Sequence, residues 1–209
     1  MNRRNLLTRG IIGAMTIALP LVPAGAQQRL DVSRKAVTDD PVAPKRAGSD
    51  YDITIVEFFD YNCPYCRRMR PVLNGLLASD PKVRIVYRDW PIFGPASREA
   101  ARAAIASQWQ HRHAAFHEAL LTSTARLDSA GIRAAATRAK VDWPRLQRDL
   151  KTHGREIDAL LARTDAIASA IGFNGTPAFI VGSQVVAGAV DLPALRRIVA
   201  TARSKSEAR

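Results

Sequence analysis

The segment Phe58-Phe59-Asp60-Tyr61-Asn62-Cys63-Pro64-Tyr65-Cys66 holds both cysteines of this 209-residue chain. A disulfide between sulfurs this close in sequence closes a short loop and braces the unfolded chain little. Reactivity is the better reason for the pair. At the start of a helix, Cys63 would meet free backbone N–H groups and the positive end of the helix dipole, and both favour a thiolate. Pro64 would fall in the first turn, where its missing N–H costs no hydrogen bond. Cys66, three residues on, would face the same side, within disulfide reach.

Two other segments suit that chemistry. Glu57 lies six residues before Cys63, in the otherwise apolar run Ile53–Phe59. A carboxylate buried there would have a raised pKa and could exchange a proton with the Cys66 sulfur; on an edge strand it would simply face solvent. Gly175-Thr176-Pro177-Ala178-Phe179 puts a proline at a strand start, where no ladder bond is lost. A cis Thr176–Pro177 bond would turn the Thr176 backbone toward the cysteines, where it can pair with a bound peptide. The competing metal reading pairs Cys63 and Cys66 with His113 and His117. The 46 residues between Cys66 and His113 are far more than a compact zinc finger uses. The four histidines are then ordinary surface or half-buried helix residues. Inert buried cysteines would not need Pro64 at a strand–helix junction.

The elements that would position these groups follow from the pattern. Asp52–Phe59 is dense in β-branched and aromatic residues and almost continuously apolar, as in a buried central strand. A helix fits residues 63–78, with Leu73, Leu76 and Leu77 on its apolar side and a kink at Pro71. Val83–Arg88 is a second strand, at a separation that suits a right-handed strand–helix–strand crossover. Residues 96–170 are helical, with breaks near His111, Ser123–Arg126, Val141–Pro144 and Thr152–Gly154, giving four or five helices. Asp142 suits an N-cap. Pro177–Val181 and Gln184–Ala187 read as strands joined by a turn at Gly182-Ser183, and Leu192–Ala202 as a last helix. The fold class expected is α/β: a thioredoxin-like fold with an all-helical insertion between its βαβ and ββα halves. Residues 27–50 read as an extended lead-in with at most a short strand near Ala36–Thr38, residues 51–202 as the domain, and 203–209 as a polar tail.

The chain begins with a basic stretch (Arg3, Arg4, Arg9), an apolar run from Gly10 to Val22, and Ala24-x-Ala26 before Gln27. That is the build of a cleaved secretory signal over residues 1–26, and the Arg3-Arg4 pair resembles a twin-arginine signal. The apolar run is too short, and too interrupted by Pro20 and Pro23, for a membrane anchor. Formal net charge is +12 and aromatic content 6 %. No aromatic residues interleave with a basic run, which argues against nucleic-acid binding. Loss of residues 1–26 leaves 28 basic residues against 19 acidic, a net charge of +9.

Taken together, V-E-F-F-D-Y-N-C-P-Y-C at Val56–Cys66, A-F-H-E-A-L-L at Ala115–Leu121, G-F-N-G-T-P-A-F at Gly172–Phe179 and V-G-S-Q-V-V-A-G-A at Val181–Ala189 resemble the DsbA-like family of bacterial thiol–disulfide oxidoreductases in the thioredoxin superfamily. The resemblance implies Cys63 as an exposed nucleophile, Cys66 as the resolving cysteine, and Glu57 as the buried acid beneath the pair. It implies Thr176 and Pro177 as the residue-plus-cis-proline facing them. The Pro64-Tyr65 dipeptide departs from the Pro-His of the strongest oxidants and matches that of glutaredoxins, so a weaker oxidant is expected. No cofactor or metal is called for. Reduced exported proteins would be the clients, and a quinone-coupled membrane protein the redox partner, of a monomer in the periplasm. The rival readings are a disulfide isomerase or reductase on the same fold and, in another class, a non-catalytic polypeptide-binding module.

Overall fold

The computed structural model describes residues 33–48, 50–124 and 126–207; the expected signal segment lies outside them. The central strand β2 (Ile53–Phe59) is buried at all seven positions, and so is β3 (Val83–Asp89). The two are parallel, in register from Ile53↔Val83 to Phe59↔Asp89, and joined by helix α2 (Pro64–Ser79). Burial on both faces explains the near-continuous apolar runs in sequence. Each fully buried Ile, Val or Phe contributes about 1.5–3 kcal/mol by leaving water. Strand β4 (Ala178–Val181) pairs antiparallel with the other edge of β2, and β5 (Gln184–Ala187) pairs antiparallel with β4. The turn between them uses Gly182 at φ +61°, a conformation costly for residues with a Cβ. Two-residue β1 (Lys45–Arg46) runs antiparallel beside β3, which completes a five-stranded sheet in the order β1-β3-β2-β4-β5.

Between β3 and β4 stand α3 (Pro95–Ala106), a 3-10 turn (Ser107–Gln110), α4 (His113–Leu121), α5 (Ser129–Arg138) and α6 (Trp143–Ile171). This is a thioredoxin-like α/β fold with a helical insertion. Asp142 caps α6 by accepting from the Arg145 backbone N–H at 2.9 Å. The chain closes with α7 (Leu192–Glu207). Among the described residues no helix is long and apolar enough to cross a membrane.

Several expectations are corrected. The expected strand at Ala36–Thr38 is instead a short helix, α1 (Arg34–Thr38), capped by the Ser33 side chain. The lead-in is therefore not simply extended: Val37 and Ala43 are buried in the core. No break occurs at Thr152–Gly154, since α6 runs 29 residues through it. Gly154 is a close-approach position there: a Cβ would stand 3.1 Å from Arg102 Nη2 of α3. Helix α7 extends five residues past the expected end at Ala202, and Arg203 secures that extension by gripping both Asp80 oxygens, at 2.6 and 2.9 Å, and Asp52. His113 and His117 are not surface residues. They are 8 % and 4 % exposed, because α4 packs them on Tyr87, Phe59 and Tyr61.

Candidate active site

Helix α2 starts where β2 ends. Cys63 is its N-cap, with extended backbone, and Pro64 is its first residue. Both thiols are free. Four features draw the Cys63 thiol down to a pKa of about 6: the hydrogen bond from the Cys66 thiol first, then, against the opposing effect of burial, the Thr176 side chain and the backbone N–H groups of Cys66 and Tyr65. Helix-start N–H groups are unpaired donors, so a thiolate there replaces water with fixed partners. Cys66 is pushed the opposite way, chiefly by burial, then by its bond to Cys63 and by Glu57. One sulfur is thus held toward the thiolate and the other firmly as the thiol.

Cys63 Sγ lies 3.1 Å from the Thr176 carbonyl oxygen, across 113 residues of sequence. The Thr176–Pro177 peptide is cis. The resemblance implied an exposed Cys63, but the residue is only 1 % accessible, because the Thr176 loop lies directly against its sulfur. Exposure belongs instead to Tyr65, at 52 %, whose ring carries the Arg68 guanidinium at 4.3 Å. Beside the loop is an open cavity of about 350 Å³, bordered by Tyr65, Phe173, Asn174, Thr176, Pro177 and Gly188, with no charged group in its lining. A larger cavity, about 670 Å³, is lined by Lys35, Asp39, Asp40 and Arg163 on the α1 side and contains no sulfur.

Glu57 is 1 % exposed, and its Oε2 has no hydrogen-bond partner. Burial, then repulsion from Asp89 and Glu118, raise its pKa to about 8. The edge-strand alternative for Glu57 is therefore excluded, since β2 is central and paired on both sides.

Sequence reasoning missed the residues that lock the cysteine loop in place. Asp60 accepts from the Asn62 N–H at 2.7 Å, the Ser97 hydroxyl at 2.7 Å and the Phe93 N–H at 3.0 Å. Asn62 accepts from the Leu127 N–H at 2.7 Å and donates to Ser97 Oγ at 3.2 Å, which ties the loop to the insertion. Tyr61 and His117 are hydrogen-bonded at 3.0 Å. The sequence signal was the D-Y-N triplet itself, since Asp and Asn side chains readily bond nearby backbone N–H groups. Among the described residues no cluster of three metal-ligating side chains occurs.

A family model for the DSBA-like thioredoxin domain matches residues 54–200. The chain belongs to the DsbA-like thioredoxin family. A thioredoxin-like oxidoreductase from Silicibacter pomeroyi DSS-3 superposes with a TM-score of 0.79 at 42 % identity, over 82 % of this chain and 98 % of that one. A periplasmic thioredoxin-like protein from Salmonella enterica serovar Typhimurium gives 0.73 at 26 % identity, over 81 % and 95 %. The thiol:disulfide interchange protein DsbA of Bordetella pertussis is 26 % identical over 191 residues, 88 % of this chain and 86 % of that protein. The Na(+)/H(+) antiporter NhaA 3 of Salinispora tropica is 29 % identical over 201 residues, 92 % of this chain. The chain spans only 30 % of that antiporter's length, and a similarly small share of the other antiporters it matches. Family membership and the asymmetric dithiol together give the domain a site of the DsbA-like type.

Proposed function

We propose that this chain is an exported dithiol oxidase that donates a Cys63–Cys66 disulfide to folding client proteins. The observation that carries this reading is the opposed treatment of the two sulfurs. A thiolate-favouring Cys63 stabilises the reduced form, and that makes the disulfide the better oxidant. A Cys63 pKa of about 6 lies between the values near 3.5 and 7 typical of strongly oxidising and reducing members of the superfamily.

In the proposed cycle a client thiolate attacks Cys63 Sγ, and the Cys63–Cys66 bond breaks. The Cys66 sulfur leaves with the electron pair and takes the proton of Glu57. A second client thiolate, its proton lost to solvent, attacks the client sulfur of the mixed disulfide. Cys63 leaves as thiolate, and Glu57 regains a proton from solvent. Two electrons have passed from client to enzyme. A disulfide-bearing membrane partner accepts them in turn. The client backbone docks on the Thr176 edge, with its side chains in the uncharged cavity beside Tyr65. No cofactor or metal enters the cycle.

The domain limits proposed are a signal over residues 1–26, a lead-in over 27–50 and the redox domain from 51 onward. One experiment tests role and location together. The whole chain carrying Cys66→Ser is produced in a Gram-negative host. Mixed disulfides should accumulate on non-reducing gels of the periplasmic fraction, on a chain starting at Gln27, because nothing internal can release the client. Cys63→Ser should trap far less. Equal trapping by the two variants would dissolve the assignment of the sulfurs, and an intact Met1 chain in the cytosol would remove the export reading.

A further inference from the structure

The cycle above uses one buried acid, yet the same face of the sheet holds another. Asp89 is the last residue of β3, and its Cα is paired with that of Phe59. Side chains alternate along a strand and paired residues share a face, so Asp89, Phe59, Tyr87 and Glu57 all point to the same side. That side is covered by α2, which carries Cys66, and by α4, as the ring contacts of Phe59 and Tyr87 with His117 show. Asp89 is 0 % exposed, and neither carboxylate oxygen accepts a hydrogen bond from another residue.

Buried polar groups are ordinarily paired, and each exception calls for a reason. The groups facing this acid offer no compensating cation. Glu57 from β2 and Asp60 and Tyr61 from the loop interact with it; Cys66 from α2, Tyr87 from β3 and Glu118 from α4 interact with Glu57, and His113 and His117 of α4 pack on Tyr87. Burial lowers both histidines, His113 to about 3, so they are neutral. Arg46 and Arg70 both act on His117, but Arg46 is bonded to the Tyr87 side chain and to Asn74, and Arg70 is ion-paired with Glu118 at 3.1 Å. Two buried acids therefore share one face of the sheet, and among the described residues neither forms an ion pair. Two like charges so placed do not both form easily: once one carboxylate is ionised, the other keeps its proton to higher pH.

We propose that Asp89 is a second acid of the dithiol site, coupled to Glu57 so that the two buried carboxyls do not both ionise readily and a proton stays available to the Cys66 sulfur. Asp89 is a positioning residue in this scheme, since it touches neither sulfur. The inference rests on the proposed role of Glu57. It is consistent with burial as the main cause of the raised Asp89 pKa, opposed by its own backbone N–H and reinforced by Asp60. It is also consistent with Asp89 as the largest repulsive influence on Glu57 after burial.

Carboxyl carbon NMR on the reduced wild-type domain tests the coupling without any substitution. The Asp89 signal should show a second inflection at the Glu57 midpoint, near 8. Two independent single-step curves would overturn the proposal. Asp89→Asn then tests the consequence, since it keeps the shape and removes the ionisable group. The Glu57 midpoint should fall by about one unit, with the pH profile of client-peptide oxidation moving the same way. A midpoint unmoved in Asp89→Asn and in Asp89→Leu would also overturn it. The Glu57→Gln variant separates the two levels of the argument. A wild-type pH profile in Glu57→Gln removes the proton-transfer role of Glu57 itself. A flattened profile there, with Asp89→Asn unchanged, removes only the role of Asp89.

Discussion

The two faces of the central sheet treat buried charge in opposite ways. On the α1 and α6 side, Arg88 is 0 % exposed, yet its guanidinium donates to the Ala36 and Val37 carbonyls and pairs with Asp40 at 3.3 Å. Arg163 also reaches Asp40, at 2.8 Å, and Arg84 bonds Thr54 and Asp39, both at 3.0 Å. Burial pushes the Asp40 carboxyl up. Arg163, the Val42 N–H and Arg88 more than offset that, so it ends below the ordinary carboxylate range. On the α2 and α4 side, Glu57 and Asp89 are equally buried and have no such partners, and both are pushed up. The paired face fastens the lead-in to the sheet. The unpaired face leaves a carboxyl whose proton can move near neutral pH. Full pairing would stabilise that side but would fix its protonation, and a fixed carboxylate cannot supply a proton to Cys66.

The sharpest way to break the paired face is Arg88→Met. It leaves Asp40 buried with one partner fewer and frees two backbone carbonyls. Removing one member of a buried pair costs about 3–5 kcal/mol. Urea unfolding should show a loss of that order, while the redox potential of the dithiol stays at the wild-type value. A loss under about 1 kcal/mol would mean that Arg163 alone compensates Asp40.

The unpaired face makes the opposite forecast. The folded pKa of Glu57, about 8, lies above its ordinary value of 4.5. The proton is therefore held in the folded state and lost in the unfolded state between these limits. Stability is greatest below pH 4.5 and falls as pH rises toward 8, by about 1.4 kcal/mol per unit while the difference lasts. Wild type should lose about 2–4 kcal/mol across pH 5–8 from this group. Glu57→Gln should flatten that window and be the more stable protein at pH 8, though a poorer catalyst. A wild-type stability curve that rises over the same range would show that Glu57 is ionised and compensated.

This contrast also marks how far the sequence could be read. The dithiol was legible because a cysteine pair, a proline and a strand–helix junction are local features. The Thr176–Pro177 segment was legible because a proline at a strand start has few uses. The Cys63–Thr176 contact joins residues 113 apart in sequence, and it was reached only through a conditional cis bond at Pro177 and the family resemblance. Asp89 carried no signal, because an acid at the end of V-R-I-V-Y-R-D looks like any strand terminus. The histidines of α4 lie deeper than the surface or half-buried places expected of them, because their burial comes from the aromatic side chains of β2 and β3, which no helical pattern reports. The α1 helix was misread because five residues are too few to show a period, and what holds them is Arg88 from a distant strand.

The smallest expected effect sharpens the unpaired face rather than breaking it. Tyr65 gives Cys63 a backbone N–H but no side-chain donor, for its ring turns outward under Arg68. Tyr65→His would place an imidazole in the first turn of α2, able to donate to the thiolate. A hydrogen bond to a charged group is worth about 1.5–3 kcal/mol, and about 1.4 kcal/mol corresponds to about 30 mV for a two-electron couple. Wild type is expected between about −270 and −120 mV, and Tyr65→His about 30–60 mV above it, with the Cys63 midpoint falling below about 6. Equilibration with glutathione and thiol trapping gives the potential, and thiolate absorbance gives the midpoint. The two must move together, because the same bond stabilises the thiolate in both measurements. A potential that rises while the midpoint stays fixed would mean that the substitution acts on the disulfide state, and that Tyr65 is not what limits the oxidising strength of this pair.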